Sequence, residues 1–272
     1  DTYYYEETKN VGKDFISDEL PSFSLAQDWE PITDSYKEYN TRGFFGRINY
    51  DYDSRYLLEL NGRYDGSSKY QKGNRWGFFP SVSLGWRIMQ ESFMEPLRVY
   101  IPELKVRASY STIGNQNVDP YLFNPNMEGT KAVWIVDGSR PTTLKTPGLV
   151  TDNFTWETVE TYNLGFDISL LKNRFQANVD IYRRNTKDML TKAIELPAVV
   201  GADAPQQNVA DMRSDGFELE LKWNDRIGKV NYHIGFNIYD YTSKITKYDN
   251  KTGLFYQQNS AQDGKRYREG MK

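Results

Sequence analysis

From Arg75 to Ile88 the chain reads RWGFFPSVSLGWRI, and every second residue is apolar: Trp76, Phe78, Pro80, Val82, Leu84, Trp86, Ile88. The residues between them, Arg75, Gly77, Phe79, Ser81, Ser83, Gly85 and Arg87, are mostly small or charged. A period of two predicts a β-strand with one apolar and one polar face. The same alternation recurs in eight segments. GFFGRINYD sets Phe44, Gly46, Ile48 and Tyr50 against Phe45, Arg47, Asn49 and Asp51. RYLLELNGRYD, ELKVRASYS, WETVETYNLGFDISL, RFQANVDIY, GFELELKW and VNYHIGFNI follow the same rule.

The connections alternate in length. DYDS, LKNR and NDRIG are tight turns, and Met89–Pro102 is a medium link. The segments GSSKYQKGN, 112–155 and about 185–213 are long and rich in Gly, Pro, Asn and Asp, the residues of turns and exposed backbone. The pattern divides the chain into a loop region at 1–40 with a short helix near SFSLAQDW, strands at 41–112, and a long loop at 113–154. Strands resume at 155–247, interrupted by a loop near 186–212, and 248–272 is loop again.

An alternating sheet needs a home for its apolar side. In a soluble β-sandwich that side packs on a second sheet; in a membrane barrel it faces lipid. The predicted strands span about 10–14 residues, against about 5–6 for globular strands. Twelve residues tilted near 45° cover roughly 28 Å, close to the hydrocarbon thickness. Aromatics mark the ends of the apolar side: Tyr50, Tyr56, Tyr64, Trp76, Trp86, Tyr110, Trp156, Tyr162, Trp223 and Tyr232. Such rings join an apolar body to a polar tip and settle at a headgroup boundary. Tyr50, Tyr64, Trp76, Trp86, Tyr110 and Trp223 are the candidate membrane-interface residues. Short turns at one end of the sheet and long loops at the other complete the signature of an all-β, antiparallel up-and-down transmembrane barrel segment with long extracellular loops. A soluble β-sandwich carbohydrate-binding module is the alternative, told apart by whether the apolar face is covered.

Composition fits this picture. No run reaches the roughly 20 apolar residues of a spanning helix, and mean hydropathy is -0.74. Barrel strands escape such a measure, because half their residues face away from lipid. Aromatic residues make up 15% of the chain. A formal net charge of -3 argues against a nucleic-acid partner. The lack of cysteine removes disulfides, thiolate metal sites and cysteine nucleophiles.

Two blocks, DGSSKY…NRWGFFPSVSLGWR and RASYSTIGNQ, together with WETVETYNLGFDISLLKNRFQANVDIYRRNTKDML and ADMRSDGFELELKW, resemble the SusC/RagA family of TonB-dependent outer-membrane transporters over most of residues 40–247. The resemblance implies a barrel of 22 strands around an internal plug. It further implies energy from TonB, a SusD-like surface lipoprotein as lid, and cargo of oligosaccharides or peptides in Bacteroidota. By that comparison the chain is a fragment of about a third of the wall, without plug, TonB-contacting segment or later strands.

Little in the chain points to reaction chemistry. His233 is the single histidine, and no G-x-S-x-G nucleophile motif accompanies it. Too few nitrogen or sulfur ligands exist for zinc, and DGSSKYQKGN lacks the ending of a phosphate loop. No catalytic residue, metal or cofactor is expected. The carboxylates of DYDSRY and NVDPY read as turn caps, with Ca²⁺ binding the alternative if they cluster, and the sequon at Asn153 has no meaning in a bacterial envelope. Substrate contact is expected in the long loops. There Asn115, Asn117, Tyr121, Trp134 and Trp156 combine amides with aromatic faces, the chemistry that holds polar neutral ligands.

Overall fold

A computed structural model of the chain describes residues 1–15, 26–29, 33–127, 129–151, 154–192, 198–202, 204–248, 254–256 and 266–268. Fifteen strands occur among them: β1 (Thr2–Lys9), β2 (Gly12–Phe15), β3 (Ala26–Trp29), β4 (Thr33–Tyr52), β5 (Tyr56–Ser67), β6 (Trp76–Arg87), β7 (Glu103–Asn115), β8 (Gly129–Lys131), β9 (Thr142–Leu144), β10 (Glu157–Leu170), β11 (Phe175–Lys192), β12 (Gln206–Ile227), β13 (Val230–Tyr248), β14 (Leu254–Tyr256) and β15 (Arg266–Arg268). Nine form one sheet in the order β1-β4-β5-β6-β7-β10-β11-β12-β13, and every pairing is antiparallel. The other six form three small ladders, β2-β3, β8-β9 and β14-β15. No described helix is long and apolar enough to cross a membrane.

The register joins the apolar sets of all eight predicted strands. One row runs Tyr50, Leu58, Leu84, Ala108, Leu164, Ile181, Phe217 from β4 to β12. A neighbouring one runs Ile168, Ala177, Leu221, Phe236 from β10 to β13. A one-residue slip in any strand would turn its apolar set to the other side, so the pattern itself fixes the pairing. Among the described residues no second layer covers this face: Phe44 is 60% exposed, Ile48 64% and Ile234 63%. The sandwich alternative needs that cover and fails here.

The sheet is a single, open wall. Its short-turn end is built from left-handed residues: Asp53 and Ser54 in one hairpin, Leu171 to Asn173 in another, Gly228 in the third. Paired left-handed residues match the twist of the strands they join. Met89–Pro102 folds as two 3₁₀ turns, Ile88–Gln90 and Ser92–Leu97.

The strands run further than the alternation indicates. β1 and the start of β4 fall inside the expected loop 1–40. β11 and β12 reach Lys192 and back to Gln206, well into the expected loop near 186–212. These extensions carry Tyr, Glu, Thr, Lys and Asn on both sides, so no apolar period marks them. The helix expected near SFSLAQDW is a strand over Ala26–Trp29; the rest of that segment lies outside the described residues.

A compact core sits on the polar side at the long-loop end. Tyr70, Phe79, Phe154 and Trp156 are buried together, with Val118, Leu122 and Leu190 packed against them. Phe79 belongs to the polar set of β6. Its ring lies over Gly114 of β7, where any Cβ would strike it. Gly114→Ala is therefore expected to displace the ring and cost about 1–3 kcal/mol. The folded yield of the full-length protein in outer-membrane fractions checks this, with Gly46→Ala, in open space, as the neutral control.

Candidate functional site

The polar face is knit by charge. Arg107 of β7 donates to both oxygens of Asp167 on β10 at 2.9 Å, and its Nη2 reaches across to Asp180 Oδ2 on β11 at 3.1 Å. Gly165 lies between Arg107 and Asp180 in the register, and a Cβ there would meet Asp180 Oδ1 at 2.6 Å and Arg107 Nη2 at 2.7 Å. The bare backbone lets the guanidinium cross a strand. Arg47 donates to Asn61 at 2.7 Å, Asn61 to Glu59 at 2.7 Å, and Asn178 to Glu220 at 2.9 Å. Much of the expected inner charge thus ties strand to strand.

The apolar face is bounded at both ends. At the long-loop end Tyr64 stacks on Trp76 at 4.8 Å, and Tyr110 tilts against Tyr162 at 4.9 Å. Ion pairs lie just beyond, Lys187–Glu160 at 2.8 Å and Arg183–Asp215 at 2.6 Å. At the short-turn end lie Tyr50, Trp86 and the Phe175–Trp223 pair, 6.5 Å apart. Ten residues separate Trp76 from Trp86 on β6, about 25 Å of height for a strand tilted near 45°.

Trp86 and Tyr56 do not leave their polar tips free. Trp86 Nε1 donates to Glu91 Oε1 at 3.1 Å and Tyr56 Oη to the same oxygen at 2.7 Å, while Arg55 approaches the other oxygen at 3.6 Å. These donors hold the Glu91 carboxyl below its ordinary 4.5, the two hydrogen bonds foremost. A depressed carboxyl contributes stability above its unfolded value, and the contribution disappears as pH falls through the folded one. Protease resistance of the 88–102 link should therefore decline as the medium is taken below about 4.5. In Glu91→Gln it should be weaker at pH 7 and insensitive to pH across that range. A wild-type link equally resistant at pH 7 and pH 3 would show that the Glu91 carboxylate does not hold it.

Two of the clefts among the long loops hold expected ligand residues. The larger, about 1210 Å³, is lined by Tyr121 and Trp134 with Tyr36, Asn124, Asn126 and the β8-β9 hairpin. Tyr121 sits in the left-handed region at φ 69. Tyr36 is pushed up to about 12 by its hydrogen bond to Glu38. The smaller, about 370 Å³, is lined by Tyr3, Tyr5, Lys37, Tyr39, Lys69 and Asn117 among others. Lys37 donates to Asp119 at 2.7 Å, which raises its pKa, whereas burial lowers that of Lys69.

The five expected ligand residues part company. Tyr121 and Trp134 share the large cleft, and Asn117 lines the small one. Asn115 spends its amide internally, donating to Glu157 at 3.0 Å and accepting from Asn117 N at 3.0 Å. Trp156 corrects its expected place at the end of the apolar face: it is 7% exposed, stacked on Tyr70 at 4.7 Å, and donates to the carbonyl of Arg75 at 3.2 Å. It packs with Phe79 of the polar set, so the parity that puts Tyr162 and Leu164 on the apolar side does not reach it. Tyr3, Tyr5, Tyr39 and Lys69 join Asn117 in the small cleft; of these only Tyr5 carries a local signal, the Tyr-x-Glu spacing it shares with Tyr4-Glu6 and Tyr36-Glu38.

A family model described as "TonB dependent receptor-like, beta-barrel" matches residues 1–268. The chain belongs to that family. This TonB-dependent receptor barrel is 32% identical over 210 residues to TonB-dependent receptor P26 of Formosa agariphila, covering 76% of the chain and 21% of that protein. It is 30% identical over 241 residues to TonB-dependent receptor SusC of Bacteroides thetaiotaomicron, covering 83% of the chain and 24% of that protein. Its fold matches the RagAB peptide transporter with a TM-score of 0.78 at 25% identity, over 99% of this chain and 30% of that one. The SusC/RagA resemblance is thus met in sequence and in fold. The receptor wall belongs in a bacterial outer membrane, and it spans about a quarter of the length of the curated relatives it matches.

Proposed function

We propose that the chain is wall and mouth of an outer-membrane, TonB-driven importer of oligosaccharides or peptides, closed from outside by a SusD-like lipoprotein. The observation that carries this reading is the two-sided wall. An uncovered apolar band of about 25 Å height suits lipid, and the opposite face is a hydrogen-bonded, charged lining suited to water and polar cargo. Tyr50, Tyr64, Trp76, Trp86, Tyr110 and Trp223 then serve as interface anchors. In such barrels short turns face the periplasm and long loops the exterior, so both clefts open where nutrient arrives. Tyr121 and Trp134 offer ring faces to it, and Asn117 an amide. No chemical step is assigned to the chain; His233 lies beside Lys172, Asn173 and Asp225 at the short-turn end, far from the clefts.

Uptake by cells lacking the parent gene tests this. Fluorescent oligosaccharides and oligopeptides of similar mass are offered to wild-type, deleted and TonB-deficient strains. Import of one of the two sets should vanish in both mutants. Undiminished uptake of both sets in the deletion strain overturns the reading.

A further inference from the structure

Beyond the apolar band, β1 and β4 continue as a two-stranded blade with Thr2 opposite Asn40 and Lys9 opposite Thr33. Five tyrosines project from it: Tyr3, Tyr4, Tyr5, Tyr36 and Tyr39. Tyr4 Oη donates to Glu6 at 2.6 Å, Tyr5 Oη to Glu7 at 2.9 Å, and Tyr36 Oη to Glu38 at 2.7 Å. Residues two apart on a strand share a face and lie roughly 7 Å apart. A phenol tied to the second residue along is held along the blade, and Tyr4 and Tyr36 meet there edge to face at 5.1 Å.

On the polar side, Tyr3 stacks on Tyr39 at 4.7 Å with planes 13° apart, and the Lys69 ammonium lies 4.0 Å from the centre of the Tyr39 ring. Lys69 is anchored in turn to the carbonyl of Gln116 at 3.2 Å. Tyr39 is therefore a fixed inner ring, while Tyr3 and Tyr5 stay 46% and 51% exposed beside it. Asn117 and the Lys37–Asp119 pair form the polar rim of the same cleft.

We propose that this cleft is a saccharide-binding subsite in the mouth of the barrel. The inference rests on the import reading and narrows its cargo to saccharides. Sugar rings carry C–H groups on their flat faces, which suit an aromatic face, and hydroxyls at their edges, which suit amide, ammonium and carboxylate. The tethered Tyr5 and the stacked Tyr3 lose little freedom on binding, which favours affinity. A volume of about 370 Å³ lies at the small end of ligand sites. Val118 and Pro120 are the only aliphatic residues in the described lining, so ring faces and polar groups make up the rest of it.

The test uses the detergent-purified, full-length parent protein on an immobilised array of glucan, mannan, xylan, galactan and uronate oligosaccharides, with a hexapeptide array alongside. Saccharide capture is expected. Tyr3→Ala/Tyr5→Ala should weaken it by about tenfold, the size of an aromatic contact. Tyr5→Phe, which keeps the ring face and loses the tether, should stay within about threefold of wild type. An unchanged far-UV spectrum shows that each variant is folded. Equal saccharide affinity in wild type and the double alanine variant overturns the subsite, as does capture of peptides alone or of nothing. Uptake by cells is scored separately: a saccharide imported unaltered by the double variant removes the subsite and leaves the importer standing.

Discussion

Leu84→Arg is expected to cost about 2–4 kcal/mol of barrel stability, whereas Ser83→Arg, one residue away, is expected to be tolerated. Leu84 is paired with Leu58 on one side and Ala108 on the other, inside the uncovered apolar row. A guanidinium there must sit in hydrocarbon or drag water with it. Ser83 points the other way, opposite Glu59 and Ser109. It borders an open trough of about 450 Å³ with Asn49, Asp51 and Lys105 on the polar side. An arginine at 83 finds water and a carboxylate. The readout is the heat-modifiable, folded fraction of the full-length protein recovered from outer membranes. Similar loss at both positions would mean that the two faces meet the same surroundings, and the barrel interpretation would fall with it.

How far each feature was legible follows from what surrounds it. Inside the membrane, lipid on one side and water on the other impose a strict period of two, and the register that joins Leu84 to Ala108 and Leu164 was implicit in that period. Outside the membrane both faces of a strand meet water. β1 and the outer parts of β4, β11 and β12 therefore carry no apolar period, and tyrosine-rich ladder reads as loop. The ligand residues were harder still. Tyr121 and Trp134 come together because a loop and a small hairpin fold toward each other, which no local spacing encodes. Trp156 is hard to place for the opposite reason: one residue outside β10, it has the parity of Tyr162 and Leu164 yet packs with Tyr70 and Phe79 on the polar side. The Tyr-x-Glu tethers are readable in the sequence only to someone who already takes those residues for a strand.

Trp156→Ala is expected to loosen the mouth of the barrel without unfolding the wall. The indole bridges Tyr70 of the loop after β5 and Phe79 of β6, at 4.7 and 5.5 Å between ring centres. Emptying a buried indole site costs about 3–5 kcal/mol. The loops it joins are also tied by polar contacts: Tyr70 Oη to the Asn115 carbonyl at 3.1 Å, Asn74 to the Phe154 carbonyl at 3.0 Å, and Asn208 to both Thr155 and Asp188. Those bonds close over the aromatic cluster, so losing it exposes them to water and lets the segment open as a unit. The strands below keep their ladders. At 3 kcal/mol or more the open population rises at least about a hundredfold, and proteolysis reads that population when opening is fast. Brief protease treatment of intact cells should thus cut Trp156→Ala between residues 68 and 155 far faster than wild type, with the folded barrel band unchanged. Trp156→Phe keeps most of the packing and removes one of the two donors to the Arg75 carbonyl, that of Ser67 N remaining at 3.0 Å, so its cleavage should lie between the two. If Trp156 instead served cargo directly, its alanine variant would lose uptake while its loops resisted protease as well as wild type.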